Sequence, residues 1–320
     1  MRIFFLLTLL SVNVSAQQKA NDYFNQPLPG NVPEIFAGGI ISDEFGNRDM
    51  AISPSGDELF YTLQFQGGRG FSTIMHSKKI NKKWTQPEVA SFCGKYNDME
   101  PSFSSDGSKL YFVSSRPLHD TVNKDYDIWY VIKENGVWAD PTNMGAPVNT
   151  AEDEYYPSVS RTGNVYFTRV VQGREEDIMM CKFQKNKYDT AVSLPDAVNS
   201  IGDEFNAFVD PDEKFILFTG YKRKGAYAAG NLYISNKNEK GEWMEAVDLG
   251  GVINQPGINY CPYITPDKKY FFFTSNRGSV KVPFAEKQNI QSLHKQMYSP
   301  LNGADNIYWM EAKVILQKVR

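Results

Sequence analysis

The stretch Asn97–Ser115, NDMEPSFSSDGSKLYFVSS, decides the fold. A short apolar strand, Pro101-Ser102-Phe103, runs into a tight turn, Ser105-Asp106-Gly107, where Asp and Gly supply the turn chemistry. A second strand follows, Leu110-Tyr111-Phe112-Val113, dense in the aromatic and β-branched residues that favour a pleated surface. The pattern recurs in RDMAISPSGDELFYT from Arg48, DEYYPSVSRTGNVYFTR from Asp153, DEFNAFVDPDEKFILFTG from Asp203 and INYCPYITPDKKYFFFTS from Ile258. Aligned on the turn residues Gly56, Gly107, Gly163, Glu213 and Lys268, the units lie 51, 56, 50 and 55 residues apart. Periods near 50 residues belong to propeller blades and arrays.

Each unit carries two further strands. A third opens on a short polar residue, in Thr73-Ile74-Met75, Asp127-Ile128-Trp129, Asp177-Ile178-Met179, Asn231-Leu232-Tyr233 and Asn306-Ile307-Tyr308. An aromatic then marks the hairpin into a fourth strand: Trp84, Trp138, Tyr188 and Trp243. Four strands per repeat is the blade count of a propeller. The fifth unit stops after its third strand, at Tyr308 to Lys313, whereas Pro33-Glu34-Ile35-Phe36-Ala37 resembles the fourth strands Pro87-Glu88-Val89-Ala90 and Glu245-Ala246-Val247. The N-terminal strand therefore completes the last blade and removes an exposed sheet edge. The expectation is an all-β, five-bladed β-propeller of four-stranded antiparallel blades over residues 33–320, closed by pairing of the N-terminal strand with the C-terminal blade. Between Arg277 and Asp305 the fifth unit carries an insertion, about 278–304, in which Ile290, Leu293 and Met297 predict a short amphipathic helix stopped by Pro300. Such a segment is either functional or a packing cap over one face of the ring.

Composition bounds the function. The 34 Lys+Arg and 37 Asp+Glu leave a net charge of −3, without the basic excess of a phosphate-neutralising nucleic-acid binder. Residues 1–16, MRIFFLLTLLSVNVSA, have the order of a signal peptide: Arg2, an apolar run and a small-residue cleavage site at Val14-Ser15-Ala16. Residues 17–32 then read as a linker. The apolar run is shorter than the roughly 20 residues a transmembrane helix needs. The expected product is exported, periplasmic or secreted, and monomeric. Cys93, Cys181 and Cys261 are an odd, widely spaced set that suits buried free thiols rather than a disulfide framework or zinc site.

The runs SSDGSKLYFVSSR (Ser104–Arg116) with DIWYV (Asp127–Val131), and TPDKKYFFFTSNR (Thr265–Arg277) with NIYWMEAKV, resemble the WD40-like PD40 repeats of TolB-like propellers. The resemblance covers about residues 33–320. It implies the propeller fold and a platform for binding envelope proteins. TolB's own partners are not carried over, because propellers host many roles.

The first strand of each blade lines a propeller's central channel, so equivalent polar residues converge there. One ring is Asn47, Asp98, Glu154, Glu204 and Asn259; two positions on lies Asp49, Glu100, Tyr156, Asn206 and Cys261. The candidate ligand-binding set at the channel mouth is Asp49, Asp98, Glu100, Glu154 and Glu204, with Arg116 and Arg277 after the second strands. Lys222 and Arg169 stand near the same place as those arginines. Such carboxylates suit a basic peptide or amine, or a divalent cation in the channel; no other cofactor is expected. The competing reading is structural: Asp and Asn capping turns, and arginines pairing between blades. No G-x-S-x-G, H-E-x-x-H or P-loop occurs, and His76, His119 and His294 fall at unrelated repeat positions. The preferred reading is a non-enzymatic envelope binding or scaffolding module with a protein or glycan partner. The alternative is a glycosidase-like enzyme using mouth carboxylates.

Overall fold

The computed structural model describes residues 23–65, 70–118, 125–170, 176–223, 225–226, 228–278 and 283–319. The expected leader lies outside the described residues. The chain opens with β1 (Glu34–Ile35) and then builds five sheets in sequence order. Blade 1 is β2 (Gly46–Ile52), β3 (Glu58–Gln64), β4 (Ser72–Ile80) and β6 (Glu88–Val89), with β5 (Lys83–Trp84) folding back on β4. Blade 2 is β7 (Asp98–Phe103), β8 (Lys109–Ser114), β9 (Asp127–Glu134) and β11 (Thr142–Asn143), with β10 (Val137–Trp138) at the hairpin. Blade 3 is β12 (Glu154–Val159), β13 (Val165–Val170), β14 (Glu176–Cys181) and β17 (Val192–Ser193), with β15 (Phe183–Gln184) and β16 (Lys187–Tyr188) as the hairpin. Blade 4 is β18 (Asp203–Val209), β19 (Phe215–Tyr221), β20 (Asn231–Asn236) and β21 (Val247–Asp248). Blade 5 is β22 (Asn259–Ile264), β23 (Tyr270–Ser275), β24 (Asn306–Glu311) and, as its outer strand, β1.

The fold is thus a five-bladed propeller, and its ends meet as the sequence predicts. β1 pairs antiparallel with β24, Glu34 opposite Trp309 and Ile35 opposite Tyr308. Phe36 N–H donates to the Ile307 carbonyl at 2.9 Å. Its fully buried ring meets Trp309 and Phe272 edge-on at 5.1 and 5.0 Å.

The core is divided into five apolar clusters, each between two neighbouring blades. The hairpin aromatics belong to them. Trp138 packs on Phe60 across blades 1 and 2, Trp243 meets Tyr166 edge-on across blades 3 and 4, and Trp84 stacks on Tyr23 and Phe24. These rings serve packing, where an indole's large area stabilises most. Blade 5 has no hairpin aromatic. β24 ends at Glu311 rather than at Lys313, and the turn of helix that follows buries Ile315 in the cluster between blades 4 and 5.

The predicted helix in the insertion forms as α1 (Ile290–Met297), capped by Asn289, whose side chain accepts from Ser292 N–H. It buries none of its residues, and Ile290 and Met297 are exposed. It does not act as a packing cap.

Candidate functional site at the upper channel mouth

The innermost strands β2, β7, β12, β18 and β22 all begin on one face of the ring, here the upper face. The insertion of blade 5 joins β23 to β24 on this same side. Two layers of repeated residues shape the channel.

The outer layer is a clamp. Arg116 Nη2 lies 2.7 Å from Asp98 Oδ1 and donates to the Phe92 carbonyl at 3.1 Å. Arg169 Nε lies 2.8 Å from Glu154 Oε1 and its Nη2 reaches the Val148 carbonyl at 2.7 Å. Arg223 Nη1 lies 2.8 Å from Glu204 Oε1 and reaches the Val198 carbonyl at 2.5 Å. In blade 5, Arg277 Nη2 donates to Asn259 Oδ1 at 2.7 Å and to the Ile253 carbonyl. Each guanidinium also covers the ring of a second-strand phenylalanine: Phe112, Phe167, Phe218 or Phe273. The carbonyls belong to the segments arriving from the preceding blade, so each clamp ties two blades together. Asp98, Glu154, Glu204, Arg116 and Arg277 are all placed here. In blade 4 the clamp uses Arg223, one residue beyond Lys222. Among the described residues blade 1 offers no such arginine; Asn47 Nδ2 donates to Asp43 Oδ1 at 2.7 Å.

The inner layer is a ring of bulges. Each innermost strand shifts register once, between Arg48 and Ala51, Met99 and Ser102, Tyr155 and Ser158, Phe205 and Phe208, and Tyr260 and Tyr263. The residue at each bulge is left-handed: Asp49 (φ 60°), Glu100 (60°), Tyr156 (49°), Asn206 (51°) and Cys261 (52°). Bulges re-aim side chains, and non-glycine residues held left-handed cost about 1–3 kcal/mol each and cluster at functional positions. Here they bring five side chains to the channel axis.

Arg48 occupies the centre of that ring. Its Nε lies 2.9 Å from Asp49 Oδ1, its Nη2 2.5 Å from Glu100 Oε1 and 3.5 Å from Cys261 Sγ, and its guanidinium lies 5.0 Å from the Tyr260 ring centroid. Glu100 is the hub. Its Oε1 also accepts from Asn206 Nδ2 at 3.3 Å, and its Oε2 accepts the Tyr156 backbone N–H at 2.6 Å. The second bond has a local cause. At three other bulges the N–H is taken by a threonine of the preceding blade's second strand: Glu100 N by Thr62, Asn206 N by Thr168 and Asp49 N by Thr274, while the hydroxyl of Thr219, in the same register before Cys261, is unbonded. The residue in that register in blade 2 is Val113, opposite Met99, so the Tyr156 N–H turns to Glu100.

Above this plug the channel widens into a well of about 430 Å³. Its walls come from a few repeat positions: Arg48, Met99, Tyr155, Phe205 and Tyr260 from the innermost strands, and Tyr126, Glu176 and Asp305 from the starts of third strands, with Gln64 from the end of β3. Tyr126 and Tyr155 lie 5.5 Å apart, tilted. Burial pushes Glu100 up to about 7, against the opposing pull of Arg48. Burial, then Asp203, pushes Glu176 up to about 6. Burial also raises Asp305, although Tyr260 donates a hydrogen bond to it. Asp49 and Glu100 are thus the predicted residues that reach the channel axis. Arg48, Gln64, Glu176 and Asp305 were not singled out by the sequence reading. Arg48 carried a signal nonetheless: its four repeat equivalents, Met99, Tyr155, Phe205 and Tyr260, are apolar or aromatic.

Among the described residues no three His, Cys, Asp or Glu side chains are grouped to hold a metal ion, and Arg48 is the cation that faces Asp49 and Glu100. No helix of the described residues is long and apolar enough to cross a membrane.

No family model and no curated protein sequence matches this protein. Solved structures do. A TolB from Acinetobacter baumannii is similar at TM-score 0.48 and 13% identity over 84% of this chain, which spans 57% of that TolB. BT0996, solved as an RGII complex, is similar at TM-score 0.52 and 9% identity over 88% of this chain and 91% of its own. A thermostable family-43 glycoside hydrolase is similar at TM-score 0.47 and 12% identity over 74% of this chain and 84% of its own. At 9% identity the BT0996 likeness speaks for the fold alone, and none of the three carries an activity across.

Proposed function

We propose that this protein is an exported, non-enzymatic binding module of the cell envelope, whose recognition site is the upper well together with the α1 insertion. The observation that carries the reading is the well itself. It is a concave, tyrosine-lined space on a rigid ring, floored by a hydrogen-bonded polar plug, and concavity with a few placed polar groups is what ligand sites have. Exposed apolar residues of α1 stand on the same face and extend the contact area toward a protein or envelope-glycan partner. The test is capture from an envelope extract. Immobilised protein retains a partner at fixed stoichiometry; Glu176→Trp, which obstructs the well, and deletion of Gly278–Gly303 each reduce it. Undiminished capture by both folded variants refutes the assignment of the site.

A second reading has one observation in its favour. Two carboxyls raised toward neutrality in one cavity are what a glycosidase's general acid requires. Glu100, however, spends both oxygens on internal bonds to Arg48, Asn206 and Tyr156. Such a residue holds a site together rather than exchanging protons with a substrate. Release of nitrophenol from aryl glycosides, abolished by Glu176→Gln, would establish the enzyme instead.

A further inference from the structure

Among the described residues the well has one cation on its wall, and that cation is already neutralised. Arg48 is matched by Asp49 and Glu100 at 2.9 and 2.5 Å. Glu176 and Asp305 add negative charge, and neither faces a cation of its own at ion-pair distance among the described residues. Asp203 and Asp153 stand just behind: Asp203 Oδ1 accepts the Glu176 N–H at 3.0 Å and Asp153 Oδ1 accepts the Tyr126 N–H at 2.7 Å. The Glu176 side chain itself makes no hydrogen bond or ion pair among the described residues. The described walls of the well therefore carry negative potential that no described cation outside the Arg48 cluster compensates.

A second observation is independent of charge. Gln64 is only 6% exposed and lines the well, yet its side-chain amide has no hydrogen-bond partner among the described residues. An N–H donor in the well would satisfy its carbonyl oxygen. The tyrosine faces complete the description, because aromatic rings attract cations and accept their methylene stems.

Resting on the binding reading above, we infer that the upper well takes an organic cation, a primary ammonium group on a short aliphatic or sugar frame, paired with Glu176 and hydrogen-bonded to Gln64. A bare divalent ion is disfavoured, since hard cations need six or more converging oxygens and the described carboxylates do not group in that way. A free anion meets no unpaired cation among the described residues of the well.

The ammonium could belong to a free amine or to a lysine side chain of a polypeptide, and the experiment separates them. Isothermal titration of the full protein at low salt and pH 7.5 uses four probes: 1,5-diaminopentane, glucosamine, N-acetylglucosamine and an acetyl-lysine-amide peptide with a free ε-amine. The two free amines or the lysine peptide should bind, and N-acetylglucosamine, which has lost the charge, should bind at least tenfold more weakly than glucosamine. Tighter binding of the lysine peptide than of diaminopentane assigns the source to a protein; the reverse assigns it to a free amine. Glu176→Gln should weaken amine binding at least tenfold with an unchanged melting temperature, because Glu176 has no side-chain partner among the described residues to lose. Asp212→Asn, whose carboxylate pairs with Arg161 away from the well, is the control and should leave it unchanged. Burial beside Asp203 and Asp153 holds Glu176 near 6, against the pull of Arg48, so amine affinity should also fall between pH 7.5 and pH 5. Equal binding of glucosamine and N-acetylglucosamine overturns the inference while keeping a glycan site. Amine binding that Glu176→Gln leaves intact overturns it too. Silence from all four probes overturns the inference, and if partner capture is also insensitive to Glu176→Trp the binding reading falls with it.

Discussion

Glu100→Ala removes an acceptor shared by Arg48, Asn206 and the Tyr156 N–H, all deep in the channel. Removing one member of a buried ion pair typically costs about 3–5 kcal/mol, and an orphaned buried N–H such as that of Tyr156 accounts for about 1–3 of it. The repeat supplies a specific repair. Val113 stands opposite Met99 where Thr62, Thr168 and Thr274 stand opposite Arg48, Tyr155 and Tyr260. Val113→Thr adds a hydroxyl of nearly the same shape at the register from which Thr62 and Thr168 bind the next blade's bulge N–H, at 2.9 and 3.1 Å. In the native protein that hydroxyl competes with Glu100 for an N–H already bonded, and burying it should cost about 1 kcal/mol. In the Glu100→Ala background it finds the orphaned N–H and should return about 1 kcal/mol. The two changes are therefore coupled by about 2 kcal/mol, well above the few tenths by which independent sites deviate from additivity. Urea unfolding of the four proteins, followed by circular dichroism and by tryptophan fluorescence to check that the transitions coincide, measures the cycle. Additivity within about 0.5 kcal/mol would refute the claim that Glu100 stands in for a missing threonine.

Arg116→Ala opens a buried clamp and should lower stability by about 3–5 kcal/mol, whereas Arg161→Ala, at an exposed pair with Asp212, should leave it nearly unchanged; similar losses in urea would contradict the division between clamp and surface. Phe36→Ala should cost about 3–5 kcal/mol, as for a fully buried phenylalanine, and should lower the melting temperature more than Val89→Ala in the exposed fourth strand of blade 1. Stability should peak near pH 5. Burial holds Glu100 near 7 against an ordinary 4.5, so the native state keeps its proton longer and stability declines as pH rises through that window. Burial would raise Glu58 and Glu213 as well, but His76 and Lys133 hold the first near 2 and Lys237 the second; both contribute above 4.5 and lose their contribution as pH falls toward 2. Glu100→Gln should flatten the decline above pH 5, and melting curves from pH 3 to 8 that keep it would contradict the assignment.

Much of the architecture was legible because a repeat is written five times. Turn residues Gly56, Gly107, Gly163, Glu213 and Lys268 all take positive φ, as their alignment implies. Ile35 paired with Tyr308 because the fourth-strand motif was missing from one end and present at the other. The site was less legible for a physical reason. Asp98, Glu154 and Glu204 recur since every blade must be tied to the last, and they meet arginines in clamps. The well is made where the repeat is broken: Arg48 among apolar equivalents, Val113 among threonines, Glu176 and Asp305 where another blade has Gly230. Reading for what recurs finds the scaffold. The exceptions can be seen only after the register of each bulge is known, because a bulge moves a side chain from one wall to another.

The pairing of β1 with β24 also sets the order of events when the polypeptide is made. Residue 35 is among the first of the propeller to be synthesised, and its partner at 308 is among the last. β1 is therefore made long before its partner and waits unpaired, and an unpaired strand is the feature most prone to pair with another molecule. The pairing spans almost the whole sequence, so its closure entropy is paid late and contributes little to early steps. The ring is therefore a latch that registers completeness: a product truncated before β24 can form its first four blades but leaves β1 unpaired, and a quality-control protease would meet that loose end first.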